Sequence, residues 1–204
     1  MEAKNGFFDK GEDTFGDIRE PVGQSVRKRL PWLVILLGLG LVVSGVVGLF
    51  EQVAQSLPVV MCFQSLILGM AGNVGTQSLA ITVRALMDSQ LTGRQKRSLV
   101  IKEAKVGLCN GILVGLISFF LIGFYLICRG ETAQKAFSVS VCTGIALVIA
   151  MGLSSISGTA VPLLFKRLNI DPAVASGPLI TTINDLVAVI TYYGLAWLLL
   201  VQRM

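Results

Sequence analysis

The 204-residue chain contains no histidine. That absence removes Ser-His and Cys-His nucleophilic catalysis, imidazole metal sites and histidine pH sensing together. Charge is scarce as well: Asp, Glu, Lys and Arg make up 14% of the residues against 53% hydrophobic, whereas a soluble domain carries charge on about a quarter of its residues. With a mean hydropathy of +0.75, the composition is that of an integral membrane protein. Cysteine is sparse and unpatterned. Cys62, Cys109, Cys128 and Cys142 lie in or at the ends of apolar runs without CxxC spacing, so they read as small packing residues and not as a disulfide framework or a zinc site.

The apolar runs are continuous and do not alternate residue by residue, which favours helices over a lipid-facing barrel. Five are long enough to span a bilayer, at about 32–50, 57–84, 106–128, 136–165 and 173–201. The fold class expected is therefore an all-α membrane protein with five transmembrane helices per protomer. The first run, "LPWLVILLGLGLVVSGVVGLF", is longer than a signal-peptide core and follows a charged arm, so it should remain as a membrane helix. Residues 1–30 are expected to form a loose cytoplasmic arm and residues 31–204 the five-helix transmembrane domain. Lys and Arg accumulate on the cytoplasmic side of membrane proteins. The arm and the links after spans two and four hold all of the 17 basic residues except Arg129, Lys135 and Arg203. The N-terminus is then cytoplasmic and the C-terminus outside. The net charge of +5 is a topology signal and not a nucleic-acid footprint, because the basic residues flank spans without interleaved aromatics.

Within these spans one charge stands in an interior: Asp185, about 17 Å along a helix from the start of the fifth span. A carboxylate at that depth costs at least about 2.5 kcal/mol and usually faces a bundle interior or a wet cavity. No span interior offers a Lys or Arg partner. Asp185 must be protonated and hydrogen-bonded between helices, be hydrated, or have a mobile cation as its partner. The residues ahead of it, "DPAVASGPLITTIND", favour the cation. Pro178 has no amide hydrogen and frees a helix carbonyl, and Gly177 lets the backbone deviate beside it. Thr181 and Thr182 stand four and three residues before Asp185, on its face of the helix. Asp171-Pro172 reads equally as a helix start signal and as a second cation station at the cytoplasmic mouth.

Span two has a similar interruption, "GMAGNVGTQSLA". Gly69, Gly72 and Gly75 allow close helix packing or backbone irregularity, while Asn73, Thr76 and Gln77 bring polar groups that suit an ion path. Small-residue spacing at Gly45 and at Gly111 with Gly115 suggests helix contacts. The hydroxyls of "GLSSISGTAVP" in span four are read as bonding back to helix carbonyls. Glu51 and Glu103 are placed near interfaces, solvated, with at most a role in recruiting cations to a pore mouth. Oxygen ligands alone point to a hard cation, and Mg2+ suits one or two carboxylates with most of its water shell kept. One Asp185 supplies one charge; two across a dimer axis would match a divalent ion.

At these segments the chain resembles the membrane domain of the MgtE family of magnesium channels and transporters, related to the eukaryotic solute carrier family 41. "GNVGTQS" is similar to that family's Gly-Asn-x-Gly-x-Gln-Ser/Thr signature, "PLLFKRLNIDPAVASGPLITTIND" to its approach to the pore aspartate, and "KEAKVGLCNGILVGL" to the start of its third helix. The resemblance implies a homodimer in the cell (inner or plasma) membrane, with an ion path along the dimer axis lined by the second and fifth helices. It implies partly hydrated Mg2+ near Asp185, with Asp171 at the cytoplasmic mouth. Candidate metal residues are Asp185, Asp171, Thr181 and Asn73; candidate lining residues are Gly75, Thr76, Gln77, Gly177, Pro178 and Thr182. Gly177 and Thr181 replace the Asn and Ala of some members. The large cytosolic sensor that members often carry has no counterpart in this sequence. The expected partners are Mg2+ as the transported ion, the lipid bilayer and a second copy of the chain; no organic cofactor or nucleic acid is expected.

Other classes compete. Serine chemistry lacks its base, and aspartyl chemistry needs two membrane carboxylates where this reading finds one. A coupled exchanger moving Mg2+ against Na+ or H+, and a structural membrane protein without transport, are the alternatives that remain.

Overall fold

The computed structural model describes residues 21–88, 91–169 and 172–203. Their secondary structure is helical throughout: α1 (Val22–Leu49), α2 (Glu51–Ser56), α3 (Pro58–Met61), α4 (Gln64–Asp88), α5 (Gly93–Cys128), α6 (Ala133–Arg167), α7 (Pro172–Leu199) and a 3-10 turn at Val201–Arg203. Five stretches among the described residues are long and apolar enough to cross a membrane, with α3 and the first 24 residues of α4 together forming the second of them, Pro58–Met87.

Helix starts lie upstream of the apolar runs. α1 begins at Val22 and α5 at Gly93, because a helix forms wherever its backbone can be capped, while hydropathy marks only where lipid begins. Thr92 and Gln95 form a reciprocal capping box, with the Thr92 amide donating to Gln95 Oε1 at 2.8 Å and the Gln95 amide to Thr92 Oγ1 at 3.4 Å. Thr132 caps α6 without the reciprocal bond, accepting from the Lys135 amide at 3.3 Å. α6 stops where Asn169 takes a φ of 57°, a left-handed turn that Asn tolerates.

α6 is the central helix and packs against α4, α5 and α7. Its contact with α5 is a close backbone approach. A Cβ added at Gly111 would lie 2.8 Å from Val148 Cα, and one at Gly115 would lie 2.8 Å from the Gly144 carbonyl oxygen. In lipid, helices gain little from hydrophobic association, so such van der Waals proximity is what holds them together. Gly45 differs from this expectation: a Cβ there meets nothing within 4 Å, because α1 packs chiefly on α7 and buries none of its residues in the chain.

The chain turns into α4 through a broken segment. Pro58 holds Leu57 in an extended conformation (φ −141°, ψ 75°) and starts α3. The Tyr192 hydroxyl donates to the Val60 carbonyl at 2.8 Å, the Tyr193 hydroxyl donates to Gln64 Oε1 at 2.7 Å, and Phe50 stacks on Tyr193. α7 thus clamps the break with side chains from two successive residues.

Glu103 requires a correction. It was expected to be solvated at the inner start of the third span, yet it is 2% exposed. Ser78 of α4 donates to Glu103 Oε2 at 3.1 Å, and Ser155 of α6 donates to the Glu103 main-chain carbonyl at 2.6 Å. The two serine hydroxyls are 2.8 Å apart. Glu103 therefore ties three helices inside the protomer, its carboxylate to α4 and its main-chain carbonyl to α6, and is not solvated. Glu51 is exposed, as expected, and accepts from Gln55 at 3.0 Å.

Candidate cation site

Asp185 is half-buried on α7. Among the described residues none forms a hydrogen bond or ion pair with it; the salt bridge of Lys135 with Glu131, at 2.9 Å, lies near the opposite end of α5 from Glu103. Pro178, Thr181, Thr182 and Asp185 recur at helical spacing, and each is exposed or half-buried. They form one open stripe. The Thr181 hydroxyl donates to the Gly177 carbonyl and that of Thr182 to the Pro178 carbonyl, each at 3.1 Å. Those bonds occupy the hydroxyl hydrogens and leave oxygen lone pairs available to a cation. The carbonyls of Gly177 and Pro178 are accordingly shared with threonine; neither is the carbonyl four residues before Pro178 that the proline leaves without its amide partner. Gly177 is half-buried beside them. Asp171 lies outside the described residues.

On α4, Asn73, Thr76 and Gln77 form a second open stripe. The Thr76 hydroxyl donates to the carbonyls of Gly72 at 2.9 Å and Asn73 at 3.0 Å. Gly75 lies on the other side of the helix and is buried. A Cβ there would collide with the side-chain amide of Asn184, reaching its Cγ at 2.7 Å. Asn184 immediately precedes Asp185. The Asn73–Gln77 segment of α4 and Asp185 of α7 therefore share one depth in the bundle, although they are more than a hundred residues apart in the chain.

Sequence reasoning missed one residue and misplaced another. Asn184 was passed over beside the charged Asp185, although an amide in an apolar run is the same kind of signal as Asn73. Glu103, beside Lys102 and Lys105, was read as solvated. It nevertheless continues backwards, four residues at a time, the buried series Gly107, Gly111 and Gly115 of α5.

Among the described residues no three Cys, Asp or Glu side chains converge on a point that could hold a metal ion by themselves. What the geometry offers is one carboxylate without a protein cation, hydroxyl oxygens beside it, and amide oxygens at the same depth on the adjoining helix. That set suits a hard cation which keeps part of its water.

The family model MgtE, described as a divalent cation transporter, matches residues 64–195. The chain is 34% identical over 180 residues to a magnesium transporter MgtE of Enterococcus faecalis, covering 88% of this chain and 38% of that protein. It is 33% identical over 190 residues to the Bacillus subtilis magnesium transporter MgtE, covering 93% and 40%. The Thermus thermophilus magnesium transporter MgtE is 33% identical over 172 residues, covering 84% and 36%. The chain spans about two fifths of the length of these relatives. By the family match across both polar stripes and the apolar helices that bear them, this chain is a member of the MgtE family of divalent cation transporters.

Proposed function

We propose that the chain conducts Mg2+ across the cell membrane as a channel, past Asp185, in a homodimer whose path runs along the twofold axis between α4 and α7. One observation carries this reading. Asn73, Thr76 and Gln77 are exposed at mid-span, level with an unpaired carboxylate, and polar groups at that depth are not left against lipid. A second copy enclosing water covers both stripes at once. Asp185 supplies the charge; Thr181 and Asn73 supply oxygens to the ion or its water shell, and Thr76, Gln77, Gly177, Pro178 and Thr182 line the path. Asp171 serves as the cytoplasmic station. The charge bias of the links puts the N-terminus in the cytoplasm and the C-terminus outside. Residues 31–204 form the transporting unit. The relatives named as magnesium transporters support Mg2+ as the ion.

The test is Mg2+ uptake into liposomes under an imposed voltage with no other gradient. Asp185→Asn is expected to cut flux by at least about tenfold, with the dimer retained on size exclusion. Asp171→Asn should weaken flux less. Unchanged flux in Asp185→Asn would overturn the assignment. Flux that appears only with a Na+ or pH gradient would make the same path an exchanger.

A further inference from the structure

Asn184 is the feature of the α7 core that packing alone does not explain. It is fully buried. Its Oδ1 accepts from the Ser157 hydroxyl of α6 at 2.8 Å, while its Nδ2 has no hydrogen-bond partner. Exchanging the amide oxygen and nitrogen does not remove the problem, because the end facing away from Ser157 stays unsatisfied in either orientation. Leaving such a group unpaired is destabilising, because its lost hydration is not repaid. A smaller apolar residue would avoid that cost, so stability is not what the amide serves.

Its surroundings show what it does serve. The amide fills the space left by the missing side chain of Gly75 on α4. A Cβ on Gly158 of α6 would in turn collide with the Gly75 carbonyl and come within 3.2 Å of Gly75 Cα. Three helices thus meet at Gly75, Gly158 and Asn184 with no slack, one residue from Asp185 and two from Asn73.

We infer that Asn184 is a positioning residue for the cation path: its amide, anchored by Ser157 and wedged against Gly75, sets the spacing and rotation of α4 relative to α7, so that Asp185 and the Asn73 stripe are held in register. This role rests on the transport reading above. The amide contributes no ligand; it acts through the two helices. Its unsatisfied nitrogen is a cost borne at the contact that holds the two helices in register.

The test uses Asn184→Leu, Asn184→Ala and Ser157→Ala in the full chain, with three readouts: thermal midpoint, amide hydrogen exchange of residues 72–79, and liposome fluxes of Mg2+ and Ca2+. Asn184→Leu removes the unpaired amide but overfills the contact, so it is expected to keep a cooperative melt near the wild-type midpoint, yet to lose at least about tenfold in Mg2+ flux and to shift the Mg2+/Ca2+ ratio. A merely structural residue would not separate stability from selectivity in that way. Ser157→Ala should shift the ratio in the same direction by less, and Asn184→Ala should raise exchange across residues 72–79. Wild-type flux and ion ratio in Asn184→Leu would overturn the role. If the wild-type protein passes no Mg2+, the transport reading fails instead; exchange across 72–79 then decides the wedge by itself, faster exchange in Asn184→Ala supporting it and unchanged exchange overturning it.

Discussion

Asp185 and Glu103 meet opposite surroundings, although both sit on helices that cross the membrane. Asp185 is open on one side and unpaired; Glu103 is closed in and bonded to serines of two neighbouring helices. Removing each should therefore have different consequences. Glu103→Ala removes the carboxylate acceptor of Ser78, leaving that hydroxyl only Ser155, and opens space among α4, α5 and α6, costing about 1–3 kcal/mol. Glu103→Gln keeps an acceptor oxygen of the same reach, so it should retain most of the stability and the flux. Thermal midpoints in detergent check this: Glu103→Ala below Glu103→Gln, with Glu103→Gln near wild type. If both variants lose flux equally while melting like wild type, Glu103 belongs to the ion path and is not a tie between helices.

Among the elements, the α5–α6 pair shows most directly how sequence becomes packing. Gly111 and Gly115 sit where any side chain would meet the backbone of α6, whereas Gly45 on α1 faces open space in the chain. The same chemical change should have opposite effects at the two places. Gly111→Ala forces the helices apart and is expected to destabilise by about 1–3 kcal/mol, while Gly45→Ala should be neutral or gain up to about 1 kcal/mol through helix propensity. Unfolding midpoints in the same detergent decide it. All five membrane helices were legible, since continuous apolar runs of this length have no other stable form in lipid. Their starts were less legible, because Thr92 and Pro21 set where the helices begin and neither contributes to hydropathy. The polar stripes were visible because Asp185 and Asn73 stand out in apolar runs. Their common depth was not, since it depends on Gly75 meeting Asn184, a contact between distant segments that no local pattern encodes. Small residues in a helix report that something approaches closely without saying what. Gly111 and Gly45 look alike in sequence and differ only in what lies opposite.

For the whole molecule, the decisive quantity is charge stoichiometry. One protomer brings one open carboxylate to the depth of Asn73, and a divalent ion is matched by two. A dimer in which both carboxylates face one path predicts that each protomer contributes half of a shared site. Two complete, separate paths would predict independent protomers. Co-reconstituting equal amounts of wild-type and Asp185→Asn protein under conditions that mix subunits separates these cases. With random pairing, independent paths retain about half of the wild-type flux, whereas a site that needs both carboxylates retains about a quarter. A value near one quarter is expected. A value near one half, with mixed dimers verified by a tag on each protomer, would place a complete path in each chain. The exposed stripe of Asn73, Thr76 and Gln77 would then need another cover than the twofold partner. The same mixture prepared with Asn184→Leu in place of Asp185→Asn reports on geometry and not on charge. If the wedge acts within its own protomer, one sound protomer still holds its own Asp185 in place, and flux should fall less steeply than with the charge variant.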